Sequence, residues 1–126
     1  MLLNIQTKQK RQVIDITEEL KAAITGSGLV NLFIRHTTAA ITTADLDPGT
    51  DQDYLKAIEQ MTASGPWGHP HNPSHFPDHF WSTLIGANLT VPFEDGKMLL
   101  GQWQRVVLIE LDGPRNRQVE ITVIKN

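Results

Sequence analysis

Four of the five histidines fall in one run, HPHNPSHFPDH, as His69, His71, His75 and His79. Imidazole ligates divalent transition metals and carries protons near neutral pH. His79, beside Asp78 and close to an expected helix start, tends to stay neutral, the form that coordinates a metal or accepts a proton. The spacing tempers a zinc reading. His75 and His79 are four residues apart, but Pro77 lies between them and disfavours a helix running back through Phe76, so a His-x-x-x-His helical face is not expected. A metal or proton-transfer site and a merely polar loop both remain open.

His36, the fifth, stands at the end of an apolar strand and is followed by Thr37 and Thr38, a place where an isolated histidine is more often a satisfied structural residue. Asp45, Asp47, Asp51 and Asp53 form an acidic stretch of the kind that binds a hard cation such as magnesium, without calcium-loop spacing. Turn and capping roles account for Asp47, Thr50 and Asp53, which leaves Asp45 as the candidate. Asp112-Gly113-Pro114-Arg115 reads as a turn whose guanidinium is shaped to clamp phosphate or carboxylate. Trp103, between Gln102 and Gln104, breaks the alternation of a strand start and is a candidate pocket wall, whereas Trp67 and Trp81 read as core. There is no cysteine, so thiolate ligands and a thiol nucleophile are excluded. No phosphate-binding glycine loop, dinucleotide fingerprint or nucleophile elbow is present.

These residues must be positioned by a mixed set of elements. Leu3 to Thr7 and Val13 to Ile16 alternate around a basic break, which predicts a hairpin. Asp15 or Thr17 is placed to cap a helix with Glu18 and Glu19 in its first turn and Leu20, Ala23 and Ile24 as its buried stripe, ended by Gly26 and Gly28. A strand over Leu29 to Arg35 turns Val30, Leu32 and Ile34 to one face and delivers His36; Ala39 to Thr43 is a second strand. Thr50 with Asp53 is a capping-box pattern opening a helix with Tyr54, Leu55, Ile58 and Met61 on its apolar face. Ser64 to Pro77, with four prolines and two glycines, predicts an ordered, irregular loop. A short helix over Asp78 to Ile85 follows, and then strands at Leu89 to Phe93, Lys97 to Leu100, Arg105 to Leu111 and Gln118 to Ile124. The order predicts one α+β domain over residues 1–126, with about three helices on a mixed, mostly antiparallel, half-barrel-like sheet.

Composition bounds the partners. The 126 residues suit a single core, and 40% hydrophobic with 20% charged residues is a globular balance. Net charge is −3, and the only basic group of note is Lys8, Lys10 and Arg11, so nucleic acid and acidic membrane are not expected partners. The first residues hold no apolar run of signal-peptide length, and nothing later reaches membrane-spanning length; a cytoplasmic location is expected.

Three stretches together resemble the YjbQ-like family: HTTAAITTADLDPGT from His36 to Thr50, the His69 to His79 loop running into HFWSTLIGANLTVPF, and GKMLLGQWQRVVLIELDGPRNRQV from Gly96 to Val119. By position, His36, Asp45, Asp53, His69 and His79 match the family's histidines and acidic residues, and Gln104 follows its Gly101 to Trp103 turn. Asp45 stands where many relatives carry Glu, and His75 where some carry Asp. The resemblance implies a homotrimer with sites near subunit boundaries. It also implies a secondary thiamine-phosphate synthase, joining hydroxymethylpyrimidine diphosphate to thiazole phosphate with release of pyrophosphate. In that reading His36, His69 and His79 hold a divalent metal, zinc or magnesium. His36, Asp45 and His79 are catalytic, and Arg115 and Gln104 bind the small phosphorylated metabolite. A chain of net charge −3 offers few obvious cations for a diphosphate. The alternative is a non-catalytic metal- or small-ligand-binding homotrimer with a homeostatic or regulatory role.

Overall fold

The alternation written into the strands decides where the core lies. In the computed structural model, which describes residues 1–126, β3 (Gly28–Ile34) turns Val30, Leu32 and Ile34 inward and Leu29 and Phe33 outward, as a period of two requires. It pairs antiparallel with β5 (Asn88–Glu94) on one side and β8 (Asn116–Lys125) on the other. β1 (Leu2–Gln6) extends the sheet beyond β8, and the two-residue β6 (Lys97–Met98) extends it beyond β5. A second antiparallel sheet has the order β2 (Gln12–Asp15), β7 (Arg105–Glu110), β4 (Ala39–Ala44).

The two sheets curl as a half-barrel around a shared core in which Val30, Leu32 and Ile34 meet Ile41, Val106 and Leu108. Each such side chain contributes roughly 1.5–3 kcal/mol on burial. β7 is covered on its other face as well. There Val107 and Ile109, with Leu111 just beyond the strand, pack with Ile58 of α2 (Thr50–Gln60) and Trp81 of α3 (Phe76–Ile85). Burial on both faces explains why this stretch is almost continuously apolar. With α1 (Thr17–Lys21), the result is the expected single α+β domain with three helices. No helix is long and apolar enough to cross a membrane.

Four local expectations are corrected. β1 and β2 do not form a hairpin: Leu3 lies opposite Val119 and Val13 opposite Ile109, so the basic segment between them crosses from one sheet to the other. α1 ends at Lys21, although Asp15 Oδ1 accepts from the Thr17 amide at 2.9 Å as the start signal requires. The Thr50–Asp53 capping box does not form, because Gly49, at φ 90°, takes the N-cap position and Thr50 is already helical. Of the apolar stripe of α2 only Ile58 is buried, and Met61 is 71% exposed.

Candidate metal and anion site

Proline does not stop α3 where the sequence suggested. The helix begins at Phe76 after a single 3-10 turn over Pro73–His75, so Pro77 occupies its first turn. Amides there have no intrahelical acceptor, and a residue with no N–H and a fixed φ is suited to the position. His75 and His79 consequently sit one turn apart on the same face, with ring centroids 4.9 Å apart. The preceding loop folds back and brings His69 to 4.9 Å from His79 and 5.8 Å from His75. One nitrogen from each ring lies within 4.8 Å of the others. Tetrahedral zinc at about 2.0–2.1 Å from nitrogen spaces its ligands roughly 3.3 Å apart, a difference that small side-chain rotations close. His71, at φ 70°, is exposed and outside the group.

Two of the three rings are held by further hydrogen bonds. His69 Nδ1 lies 3.2 Å from the Asn72 carbonyl, which can only accept, so Nδ1 carries the proton and Nε2 the lone pair. His75 Nε2 is 2.7 Å from Asp112 Oδ2 and 3.3 Å from Asp78 Oδ2, which leaves Nδ1 as its free nitrogen. A carboxylate or carbonyl behind an imidazole is the usual means of fixing a metal-ligating tautomer.

The carboxylates behind His75 are themselves held by cations. Lys10 Nζ bridges Asp78 Oδ2 at 2.7 Å and Asp112 Oδ1 at 2.6 Å; Arg11 reaches Asp78 Oδ1 at 2.9 Å, and Arg115 reaches Asp112 Oδ2 at 2.8 Å. Burial works to raise the Asp112 pKa, but hydrogen bonds from Lys10, Arg115 and His75 outweigh it and hold the carboxyl well below the ordinary range. Two polar cavities of about 600 and 480 Å³ open on either side, sharing His75, Asp112 and Arg115 as walls. Lys10, Arg11, Arg35 and Arg115 line them against Asp78 and Asp112, a local excess of two positive charges on a chain of net −3. Arg11 Nη1 is enclosed and has no partner, an unused donor at this place. Arg117 is not free in the same way. Its guanidinium is buried against Glu110, with Nε at 2.9 Å from Oε1, and it donates to Thr38 O.

Of the expected ligands His36, His69 and His79, the structure groups His69 and His79 with His75 and leaves His36 outside that cluster. His36 lines the larger cavity with His75 and His79, but its Nε2 accepts the Gln118 amide at 2.9 Å. Burial first, and then the Arg117 charge, lowers its pKa, so near neutral pH the ring is uncharged with its proton on Nδ1. It is a hydrogen-bond donor there, with no lone pair left for a metal or for a base. Asp45 is not brought to the histidines. It follows the far end of β4, six residues from Ala39, or about 20 Å along an extended strand. Gln104 lies at that far end too, donating to Thr43 Oγ1 at 3.3 Å, beside a separate cavity of about 440 Å³ lined by Lys21 and Arg105. Arg115 lines both polar cavities, Trp81 is core, and Trp103 is 65% exposed. Sequence reasoning left His75 open and missed Lys10, Arg11, Asp78 and Asp112. The signal for Asp112 is its place in the Asp-Gly-Pro-Arg turn, and Lys10 and Arg11 stand in the sequence as a basic break between strands and as its one basic group.

The fold and this constellation define a class: a small antiparallel half-barrel with a histidine triad and a cationic groove beside one end of its second sheet. The chain belongs to the UPF0047 YjbQ-like family, whose model matches residues 1–126. A UPF0047 protein of Archaeoglobus fulgidus is 33% identical over 126 residues, covering 98% of this chain and all of that one. YugU of Bacillus subtilis is 32% identical, with 97% and 96% covered. Among solved structures, an uncharacterized YjbQ/UPF0047 protein of Clostridium acetobutylicum superposes with a TM-score of 0.90 at 31% identity, covering 98% of this chain and 99% of that one. A YbjQ-like protein of unknown function from Sulfolobus solfataricus gives a TM-score of 0.90 at 28% identity, covering 100% and 96%.

Proposed function

We propose that His69, His75 and His79 hold a divalent metal beside a groove for a phosphorylated small metabolite, and that the chain is a transferase of the thiamine-phosphate synthase kind. The observation that carries this reading is the convergence of three imidazoles, two of them locked by hydrogen bonds that leave one nitrogen free. Three imidazole nitrogens suit zinc, whereas magnesium takes oxygen ligands. Such an ion supplies Lewis acidity toward phosphate oxygens.

The chain's own groups do the rest. Arg35 and Arg115, which line the larger cavity, are available to bind phosphate oxygens, and the Nδ1–H of neutral His36 adds a donor aimed by the Gln118 amide. Joining hydroxymethylpyrimidine diphosphate to thiazole phosphate releases pyrophosphate, and donors set around the departing charge lower the barrier to that step. The local excess of cations supports this reading in a chain of net charge −3. The reading includes a cytoplasmic homotrimer, in keeping with Leu2, Leu29, Phe33 and Ile124 exposed on the five-stranded sheet.

Purified protein loaded with zinc is to be incubated with the two precursors and assayed for thiamine phosphate. Turnover that His79→Ala abolishes together with bound zinc supports the proposal. Retained zinc without turnover in the wild-type protein leaves the non-catalytic metal-binding role, and failure to bind any divalent ion removes both.

A further inference from the structure

His69 reaches the other two imidazoles from a stretch of chain with little else to hold it. Thr62, just before that stretch, is fixed to the body: its hydroxyl donates to Ile58 O at 2.6 Å and accepts from Trp81 Nε1 at 2.8 Å. Over residues 63–72 every side chain is exposed except those of Trp67 and His69, which are half-buried. The hydrogen bonds of this segment stay local. The Asn72 amide donates to Pro70 O, His69 Nδ1 to Asn72 O, and Asn72 also accepts from the Ser74 hydroxyl and the His75 amide.

Two side chains fasten the segment to α3. Trp67 lies on Phe76 with centroids 4.9 Å apart, and His69 lies 4.9 Å from His79 and 5.8 Å from His75. The indole also folds onto its own loop, since a Cβ added at Gly65 would come within 2.8 Å of Trp67 Nε1. Local stability follows buried contacts and hydrogen bonds to neighbouring elements, so a segment packed on itself and joined at two points opens readily as a unit. The other half of the triad is rigid by comparison. His75 and His79 flank Asp78, which is buried and tied to Lys10 at 2.7 Å and Arg11 at 2.9 Å. Two ligands are therefore fixed, and the third is carried in by the loop.

We propose that residues 63–72 are a metal-closed strap: a divalent ion at the triad draws His69 onto His75 and His79, and Trp67 comes down onto Phe76 with it. An ion held by all three imidazoles gains its third ligand only in the closed state, and it must favour that state by the resulting difference in affinity. Trp67 also walls the apolar cavity of about 420 Å³, so that cavity is complete only when the strap is down. The inference rests on the metal reading above and adds a change of state to it; the two can fail separately.

The test compares the full chain with and without zinc, whose binding is measured by calorimetry. Chymotrypsin cleavage after Trp67 reads the open population, as proteolysis does when closing outruns the cut. Acrylamide quenching of the Trp67 emission reads the same change without a cut, with Trp67→Phe giving the emission of Trp81 and Trp103 to subtract. Zinc is expected to slow the cleavage by about tenfold or more at saturation and to lower the quenching. His69→Ala, at a loop position outside the core, should be cut at one fast rate whatever the zinc concentration. Zinc that binds the wild-type protein without changing either readout overturns the strap and leaves the metal reading standing, as does a loop that resists cleavage equally in both conditions. Protection of His69→Ala by zinc equal to that of wild type also overturns the strap. Failure of zinc to bind overturns both.

Discussion

Asp112 and His36 show how a residue's partners decide its chemistry. Asp112 touches no expected ligand position of its own, yet it accepts from His75 Nε2 while Lys10 and Arg115 keep it ionised. Loss of a carboxylate behind a metal-ligating histidine typically weakens metal binding about 10–100-fold. Asp112→Asn should do so with the fold intact, as a competition titration against a zinc chelator would read; an unchanged zinc affinity would show that His75 needs no such support. His36 makes a different prediction. Its folded pKa lies below the ordinary 6.5 because burial, and then Arg117, disfavour the cation. The unfolded chain therefore takes up a proton first, and stability should fall as pH drops from about 6.5 toward the folded value. His36→Gln, which keeps an acceptor for the Gln118 amide, should flatten the denaturation midpoint over that interval.

At the level of elements, the site depends on two connections rather than on any one strand. The segment between β1 and β2 brings Lys10 and Arg11 to Asp78 on α3, and the turn between β7 and β8 brings Asp112 and Arg115. Gly113 in that turn has no space for a side chain. A Cβ there would lie 2.8 Å from Glu110 Cγ and 2.9 Å from Thr7 Oγ1, and closer still to the Gln9 carbonyl. Gly113→Ala should therefore cost about 1–3 kcal/mol, as overpacking does, and weaken zinc binding by shifting Asp112. Chemical denaturation and the chelator titration read the two effects; normal values in both would mean that the turn accommodates the methyl group.

Across the whole molecule, one buried ion pair joins the sheets behind the site. Glu110 of β7 and Arg117 of β8 are both fully buried, with Thr7 donating to Glu110 Oε1 at 2.6 Å and Thr38 accepting from Arg117. Removing one member strands the other's charge, so Arg117→Ala should destabilise by about 3–5 kcal/mol. A denaturant midpoint close to wild type would contradict this. Glu110 also sets the acid limit. Burial raises its pKa, but hydrogen bonds from Arg117, Thr7 and the Asp112 amide outweigh that and leave it below the ordinary 4.5. Asp112 is likewise held below 3.8. The unfolded chain protonates these groups first, so their contribution is complete above about pH 4.5 and is lost as pH falls below it.

By itself the sequence determined the strands, because a period of two with branched apolar residues at Val30, Leu32 and Ile34 admits one buried face. It also determined the α+β class, the three helices and the family, through motifs spread over most of the chain. Tertiary structure decided strand partners, since β1 and β2 carry nothing local to say that they join different sheets. It also decided which imidazoles converge. His36 and His75 were both candidates as residue types, and they were separated by what their second nitrogens meet: a backbone amide from β8 in one case, an aspartate beyond β7 in the other. Those partners lie 82 and 37 residues away in the chain, and no local spacing encodes contacts of that range.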